Sequence, residues 1–290
     1  MGKMLVIADM KDSCIATPRG LQLAHKLGHA VEVVAFIHTS LSGINKSRAE
    51  QKSIKKRLML KREKEVRARI DKYRAPRQEV SLKVVWEKDI QHWVIKRSGQ
   101  SFDMVVKTGS HEDSIIYAST DWQLLRECPA PVLIVAEKKW HRTKPVLAAV
   151  DLGSSDADIK QLNHQIITTA KILAEALDTQ LSLICAIEIP TLLADMDLID
   201  PTAYVREARE KMKPAIVKLA QAYGLPHRSF LVKKGPVEKV ITSVAAKQRA
   251  QLVVMGTVGR RGVRARLLGN TAEKVLRHLR TDVLTLKLEE

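Results

Sequence analysis

Short apolar runs alternate with segments of helical periodicity along the chain. In the second half this pattern predicts strands at about 146–151, 180–187, 228–233, 251–256 and 282–287. Helices are predicted to begin near Asp156, Thr202, Pro236 and Asn270. Asp156 and Thr202 are candidate N-caps, because their side chains can accept hydrogen bonds from a first helical turn. Strands and helices that alternate at this spacing predict a parallel sheet with right-handed crossovers, covered on both faces.

The chain repeats this pattern. The segment SFDMVVKTGS at 101–110 matches RAQLVVMGTV at 249–258, and the helix end, turn and strand at 124–138 match those at 275–289. The first strands match too, since MLVIAD ends at Asp9 and VLAAVD ends at Asp151. A polar joint lies near 136–145. We therefore predict two tandem α/β domains, 1–138 and 144–290.

A crevice is expected in the second domain. Ligands of open parallel sheets bind outside the carboxyl ends of the strands, at the point where the strand order reverses. Asp151, the turn after Cys185 and a glycine-bearing loop all follow predicted strands. These three segments should therefore converge on one site.

The loop in VVMGTVGRRGVRARLLGNT, residues 253–271, has the features of an anion cradle. Glycines let the backbone turn sharply and approach a phosphate, and the helix that follows offers free N–H groups. Its arginines can neutralise a polyphosphate: Arg260, Arg261, Arg264 and Arg266. The loop contains neither a Walker motif nor the Gly-x-Gly-x-x-Gly dinucleotide fingerprint. Glycines that only serve turns are the alternative.

The spacing Gly256-x2-Gly259-x9-Gly269, followed closely by a hydroxyl residue, resembles the nucleotide-binding signature of the universal stress protein family. The segments GTVGRRG, LLGNTAEKV and TDWQLLRECPAPV resemble its tandem E group, and the resemblance covers essentially the whole chain. It implies two Rossmann-like domains, each a five-stranded parallel sheet with helices on both faces. It also implies that a domain with the signature binds ATP, with or without Mg2+, and that the halves form an intramolecular pseudo-dimer. A homodimer is an open alternative.

The resemblance assigns a site residue by residue. Asp151 would lie beside the nucleoside, the backbone of Ala186 would meet adenine, and Met255 would flank the nucleoside. The family places Ser or Thr directly after the third glycine, whereas Asn270 precedes Thr271 here, so either side chain could make that contact. The predicted nucleotide-binding residues are Asp151, Ala186, Met255, Gly256, Gly259, Arg260, Gly269, Asn270 and Thr271.

The first half does not keep the signature. Its loop, TGSHEDSIIYAST, retains Gly109 but has Ala118 where Gly269 would stand. His111, Glu112 and Asp113 place negative charge where phosphate would sit. We predict that this half binds no ATP and either binds another ligand or packs against the second half. The three side chains form either a solvated acidic turn or a metal site.

The net charge of +17 is concentrated in one segment, because residues 46–77 contain 14 Lys and Arg against 4 Asp and Glu. A helix is predicted at about 48–73, with a partial apolar stripe formed by Ile54, Leu58, Leu60, Val66 and Ile70. The segment is either a surface helix with one buried face or a patch that binds nucleic acid or anionic lipid.

The remaining features indicate a cytoplasmic protein. No apolar run approaches the roughly 18 residues that span a bilayer, and the N-terminus lacks a signal peptide. The three cysteines form no Cys-x-x-Cys pair, which suits a reducing compartment. No motif of a hydrolase or zinc enzyme is found in the sequence.

These features lead to three hypotheses. The first is a stress-response protein that binds ATP in its second domain and acts by nucleotide-dependent association with unknown protein partners. The second is a slow ATPase that uses the same crevice. The third is a basic adaptor for nucleic acid or an anionic membrane.

Overall fold

The computed structural model describes residues 2–10, 15–41, 46–99, 102–109, 119–136, 140, 143–258 and 269–288. The chain divides into two compact units, Met1–Glu137 and Lys138–Glu290. The division falls in the polar joint that the sequence places near 136–145.

The first unit alternates strands and helices. Its elements are β1 (Lys3–Ala8), α1 (Ala16–Leu27), β2 (Ala30–Ile37), α2 (Arg48–Tyr73), β3 (Val80–Trp86), α3 (Ile90–Ser98), β4 (Met104–Thr108), α4 (Ser119–Glu127) and β5 (Val132–Val135). The strands pair in the order β3-β2-β1-β4-β5, and all four pairings are parallel.

The second unit has the same plan with one additional short helix. Its elements are β6 (Val146–Ala149), α5 (Ala157–Ala176), β7 (Leu181–Ile187), α6 (Thr191–Asp195), α7 (Pro201–Tyr223), a 3-10 turn (His227–Ser229), β8 (Phe230–Lys234), α8 (Val237–Lys247), β9 (Leu252–Val258), α9 (Asn270–His278) and β10 (Asp282–Lys287). The strand order is β8-β7-β6-β9-β10, again parallel throughout.

This architecture confirms the predicted fold class of two Rossmann-like α/β repeats. The central strands are buried because helices cover them, which explains their continuous apolar sequences. In each unit the strand order reverses beside the first strand, between β1 and β4 and between β6 and β9. The predicted ligand crevice belongs at the second of these reversals.

The predicted helix starts are only partly correct. Asp156 caps α5 as predicted, since its carboxylate accepts from the N–H groups of Asp158 and Ile159. The prediction of Thr202 as a cap is wrong, because Asp200 accepts from the N–H of Ala203 and the helix begins at the proline between them. Proline suits that first position because it lacks an N–H group. The short helix α6 was not predicted.

Helix α2 begins and ends where the sequence predicts. Ser47 and Glu50 form a capping box at its start, with each side chain bonded to the other residue's backbone N–H. Val66 and Ile70 are buried as predicted, but the assignment of Leu60 to the apolar stripe is wrong, since it is 47% exposed. Arg62 is buried in the inward face instead, and only 3% of its surface is exposed.

Candidate functional site

A crevice of about 650 Å³ opens at the carboxyl ends of β6, β7 and β9. Its walls come from α5, α7 and α8, and the N-terminus of α9 borders it. It lies at the strand reversal of the second unit, where the sequence predicts a ligand site. Such a volume is in the range of small-molecule sites.

Seven of the nine predicted site residues line this crevice. They are Asp151, Ala186, Met255, Gly256, Gly269, Asn270 and Thr271. Gly259 and Arg260 lie outside the described residues, as do Arg261, Arg264 and Arg266. The structure therefore brings together three separate sequence segments that the predicted site requires.

Hydrogen bonds fix the chain where it leaves β6. The side-chain amide of Asn163, on α5, accepts from the N–H of Asp151 at 3.0 Å and donates to its carbonyl at 2.6 Å. The carboxylate of Asp151 accepts from the N–H of Gly153 at 3.0 Å. The main chain and the carboxylate of Asp151 are thus both held at the edge of the crevice.

Gly256 is required by packing. A Cβ atom built there would lie 2.5 Å from Cδ2 and 3.2 Å from Cγ of Leu162, which projects from α5. Its backbone does not adopt positive φ, unlike that of Gly28 and Gly224. The glycine therefore lets α5 approach β9 closely, a packing role that differs from the turn or phosphate role that the sequence predicts.

The N-terminus of α9 faces the crevice. Gly269 occupies its N-cap position, and no side chain of the described residues caps it. Asn270 and Thr271 are exposed on the first turn and line the crevice. The uncapped N–H groups and the helix dipole favour an anion at this end.

The crevice is apolar at its base and charged at its mouth. Met212, Met255 and Leu162 are buried side chains that line it. Three carboxylates, those of Asp151, Glu188 and Glu207, and one cation, Lys211, are the charged groups among its described lining residues. An apolar base with polar groups at the mouth suits a ligand that carries both a flat apolar part and polar substituents.

Cys185 lies on β7, packed against Met212, with its Sγ 3.9 Å from the Met212 Sδ. Burial raises the pKa of this thiol to about 11. The thiol is therefore protonated at neutral pH and is a packing group, as expected for an unpaired cysteine.

The equivalent positions of the first unit carry larger or charged side chains. The next-to-last residue of the second strand is Ala186 in β7 but Phe36 in β2, where the ring packs edge-to-face on Trp93. The fifth residue of the fourth strand is Gly256 in β9 but Thr108 in β4. The Thr108 hydroxyl accepts from the first N–H of α1 at 3.0 Å.

An ion pair replaces two apolar residues in the first unit. Met255 and Ala272 are the fourth residue of β9 and the third of α9, and Lys107 and Asp121 hold those places in β4 and α4. Lys107 Nζ lies 2.6 Å from Asp121 Oδ1, and both side chains are buried. The apolar surface that Met255 offers to the crevice is therefore absent here.

Arg62 is the first-unit equivalent of Met212. It stands eleven residues before the end of α2, as Met212 stands eleven before the end of α7. Its guanidinium donates to the carbonyls of Ala8 and Asp9 at 3.0 and 2.6 Å, at the carboxyl end of β1. The strand ends of the first unit are thus contacted by the chain's own side chains.

Sequence reasoning missed several lining residues: Gly153, Leu162, Asn163, Tyr204, Glu207, Lys211 and Met212. Asn163 carried a usable signal, because an asparagine between apolar residues on the inner face of a helix needs a partner. Three of these residues lie three or four positions apart on α7: Tyr204, Glu207 and Lys211. This spacing indicates that they share one face of the helix, but it does not indicate that this face borders a crevice.

Two general features of the described residues bear on function. No group of three or more His, Cys, Asp or Glu side chains there is arranged to hold a metal ion. No helix of that part is long and apolar enough to cross a bilayer. The predicted His111–Glu112–Asp113 turn or metal site lies outside these residues.

Comparison with known proteins identifies relatives. A model of the Universal stress protein family matches residues 142–287. The chain is 35% identical over 219 residues to universal stress protein E of Escherichia coli K12, covering 73% of this chain and 69% of that protein. It is 31% identical over 248 residues to the universal stress protein E homolog of Haemophilus influenzae, covering 83% and 80%. The structure of PA1789, a functionally unknown protein of Pseudomonas aeruginosa PAO1, aligns with a TM-score of 0.67 and 25% identity over 99% of this chain and 92% of that one.

Proposed function

Because the chain belongs to the universal stress protein family, we propose that its second unit binds ATP in the crevice beside β6, β7 and β9. Binding would control association with protein partners during the stress response in the cytoplasm. The observation that carries the proposal is the convergence of Asp151, Ala186, Met255 and the α9 N-terminus on one crevice of about 650 Å³.

The chemistry of the crevice supports an adenine nucleotide. The apolar base formed by Met255 and its neighbours suits a flat purine, and carboxylates such as Asp151 can accept from ribose hydroxyls. The uncapped N–H groups of Asn270 and Thr271 suit phosphate oxygens. Lys211 is the cation of the described lining that could reach a phosphate. Mg2+ would be carried in by the phosphates, since the described residues hold no metal cluster.

A direct test substitutes a crevice residue of the second unit by its equivalent in the first unit. Ala186→Phe places the side chain that β2 already carries at Phe36 into the predicted adenine position. We expect isothermal titration calorimetry to show that ATP affinity falls at least about tenfold, which corresponds to 1.4 kcal/mol or more. The thermal melt reports whether the variant is folded. A folded variant that binds ATP as tightly as the wild type would contradict the proposed site.

The first unit is proposed to bind no ATP. Two matched double variants, one in each unit, test this difference in ATP binding between the units. Met255→Lys with Ala272→Asp imports the ion pair into the second unit, and Lys107→Met with Asp121→Ala removes it from the first. Only the former should weaken ATP binding, because only the former changes the occupied crevice. Equal losses from both would show that the assignment to one half is wrong.

Slow hydrolysis in the same crevice is the enzymatic alternative. Asp151 is the candidate, because its carboxylate is exposed and lines the crevice. ATP turnover that is lost in Asp151→Ala even at ATP concentrations that saturate the variant would support hydrolysis. Turnover that is equal in both proteins would exclude a role for this carboxylate.

Helix α2 supports a second function, binding of nucleic acid. Arg57, Lys61 and Lys64 are exposed and lie three or four residues apart on the side opposite the buried Val66 and Ile70. None of the three cations is paired with an acid among the described residues. Val66 and Ile70 face the protein, and the exposed apolar residues Leu60 and Tyr73 lie thirteen positions apart, so they form no continuous apolar face that could enter a membrane. Phosphate backbones are therefore the favoured anionic partner.

Charge reversal separates this function from ATP binding. We expect one triple variant to lose binding to a nucleic-acid duplex and to keep the ATP affinity of the wild type. It combines Arg57→Glu, Lys61→Glu and Lys64→Glu. A control triple with the same change of charge replaces three exposed lysines of the second unit: Lys160, Lys218 and Lys247. For the wild-type protein, the logarithm of the affinity for the nucleic-acid duplex should fall linearly with the logarithm of the salt concentration. Binding to duplexes that salt does not weaken, or equal effects of both triples, would contradict the role of α2.

A further inference from the structure

Asn163 is a buried polar residue on the inner face of α5. It is the seventh residue of that helix and 8% exposed, between Leu162 and other apolar side chains. Buried asparagine is costly unless its amide groups are bonded. Here both amide atoms contact one residue, because the amide accepts from the N–H of Asp151 and donates to its carbonyl. The two bonds together fix both position and orientation.

Asp151 needs this support because it lies beyond the end of the strand. The last backbone bond from this chain segment to β7 is that from the N–H of Val150 to the carbonyl of Ile184, at 2.9 Å. The N–H and the carbonyl of Asp151 are held by Asn163 in place of a neighbouring strand. Its carboxylate, bonded to Gly153, then projects at the crevice edge.

The first unit satisfies the equivalent carbonyl in another way. The carbonyl of Asp9 accepts from Arg62, which comes from α2. In the second unit the donor is the Asn163 amide from α5, whereas in the first it is the buried guanidinium of Arg62 from α2. The choice of donor thus distinguishes the two strand ends.

We propose that Asn163 is a positioning residue of the nucleotide site, which acts by holding Asp151 in the orientation that contacts the nucleoside. The proposal rests on the proposed function, since it assumes that the crevice binds ATP. Asn163 acts through Asp151, so its effect on affinity depends on the Asp151 carboxylate, whereas its effect on stability does not.

The test is a double-mutant cycle of Asn163→Leu, which keeps the branched shape and the number of heavy atoms of the side chain but removes its hydrogen-bonding groups, with Asp151→Ala. Asn163→Leu should weaken ATP binding about tenfold in the protein that keeps Asp151 and less than about twofold in the Asp151→Ala protein. The thermal midpoint should fall by the same amount in both backgrounds, because the backbone groups of residue 151 lose their partner in each. Asn163→Ala provides a second variant should the leucine impair folding.

The outcomes separate the two proposals. Equal loss of ATP affinity in both backgrounds would make Asn163 a merely structural residue and overturn its positioning role. Unchanged affinity in the Asn163→Leu protein would overturn it as well. A folded wild-type protein that does not bind ATP in the same titration would contradict the proposed function itself.

Discussion

Replacing Gly256 by alanine tests the packing of the site. The new Cβ would lie 2.5 Å from the Leu162 Cδ2, at least 1 Å inside the roughly 3.5 Å optimum for two carbon atoms. Rotating one methyl group does not relieve the contact, since Cγ lies at 3.2 Å. Leu162 is 6% exposed, so the whole side chain must move. Overpacking of this kind costs about 1–3 kcal/mol of stability. Leu162 also lines the crevice, so its displacement should weaken ATP binding about tenfold.

Urea unfolding and calorimetry measure these effects. Leu162→Ala alone should cost about 2–5 kcal/mol, and it should recover about 1–2 kcal/mol of the Gly256→Ala penalty when the two are combined. The control is Gly99→Ala, where the nearest atom lies 3.7 Å away and φ is −67°, so its stability should rise by about 0.4–1 kcal/mol. Strict additivity of Gly256→Ala and Leu162→Ala would refute the packing argument.

Three further predictions concern ionisable groups. Lys107→Met or Asp121→Ala alone should cost about 3–5 kcal/mol in urea unfolding, because each leaves a buried charge, whereas the double change should cost far less; equal costs for the single and double variants would contradict this. The Cys185 thiol, whose pKa burial raises to about 11, should react with iodoacetamide at pH 8 only as fast as the unit unfolds; labelling at the rate of a free thiol would show that it is accessible. Burial raises the pKa of Glu32, but the hydrogen bonds and positive charges of Arg97 and Lys3 outweigh this effect, so the net shift of the pKa is downward. Its stabilising effect is therefore present above the unfolded pKa of about 4.3 and lost as pH falls through the lower folded pKa. Glu32→Gln should remove that part of the acid sensitivity, and an unchanged acid-unfolding profile would count against it.

Local sequence signals account for most of the fold. The run from Leu252 to Met255 was recognisable as a strand because buried parallel strands are continuously apolar. Asp156 was recognisable as a cap because capping depends on one side chain and the N–H groups next to it. The prediction of Thr202 as a cap was wrong because another local side chain, that of Asp200, caps the helix instead. A carboxylate is the better acceptor near the positive end of a helix.

The unpredicted parts of the site depend on contacts between distant segments. Arg62 lies among exposed cations in sequence, and only the approach of α2 to β1 buries its guanidinium against backbone carbonyls. The contact of Leu162 with Gly256 likewise joins residues from two elements, and neither sequence neighbourhood records it. The pairing of Lys107 with Asp121 joins a strand to the helix that follows it. Periodicity predicts which face of an element is buried but not which side chain it meets.

The central claim is that the second unit alone binds ATP. Native mass spectrometry of the full chain, mixed with ATP and compared with the Ala186→Phe variant, tests it most directly. At an ATP concentration close to the wild-type Kd, we expect one ATP on a large share of the wild-type chains and little or none on the variant. Two nucleotides per chain, or one that persists on the folded Ala186→Phe protein, would contradict the claim.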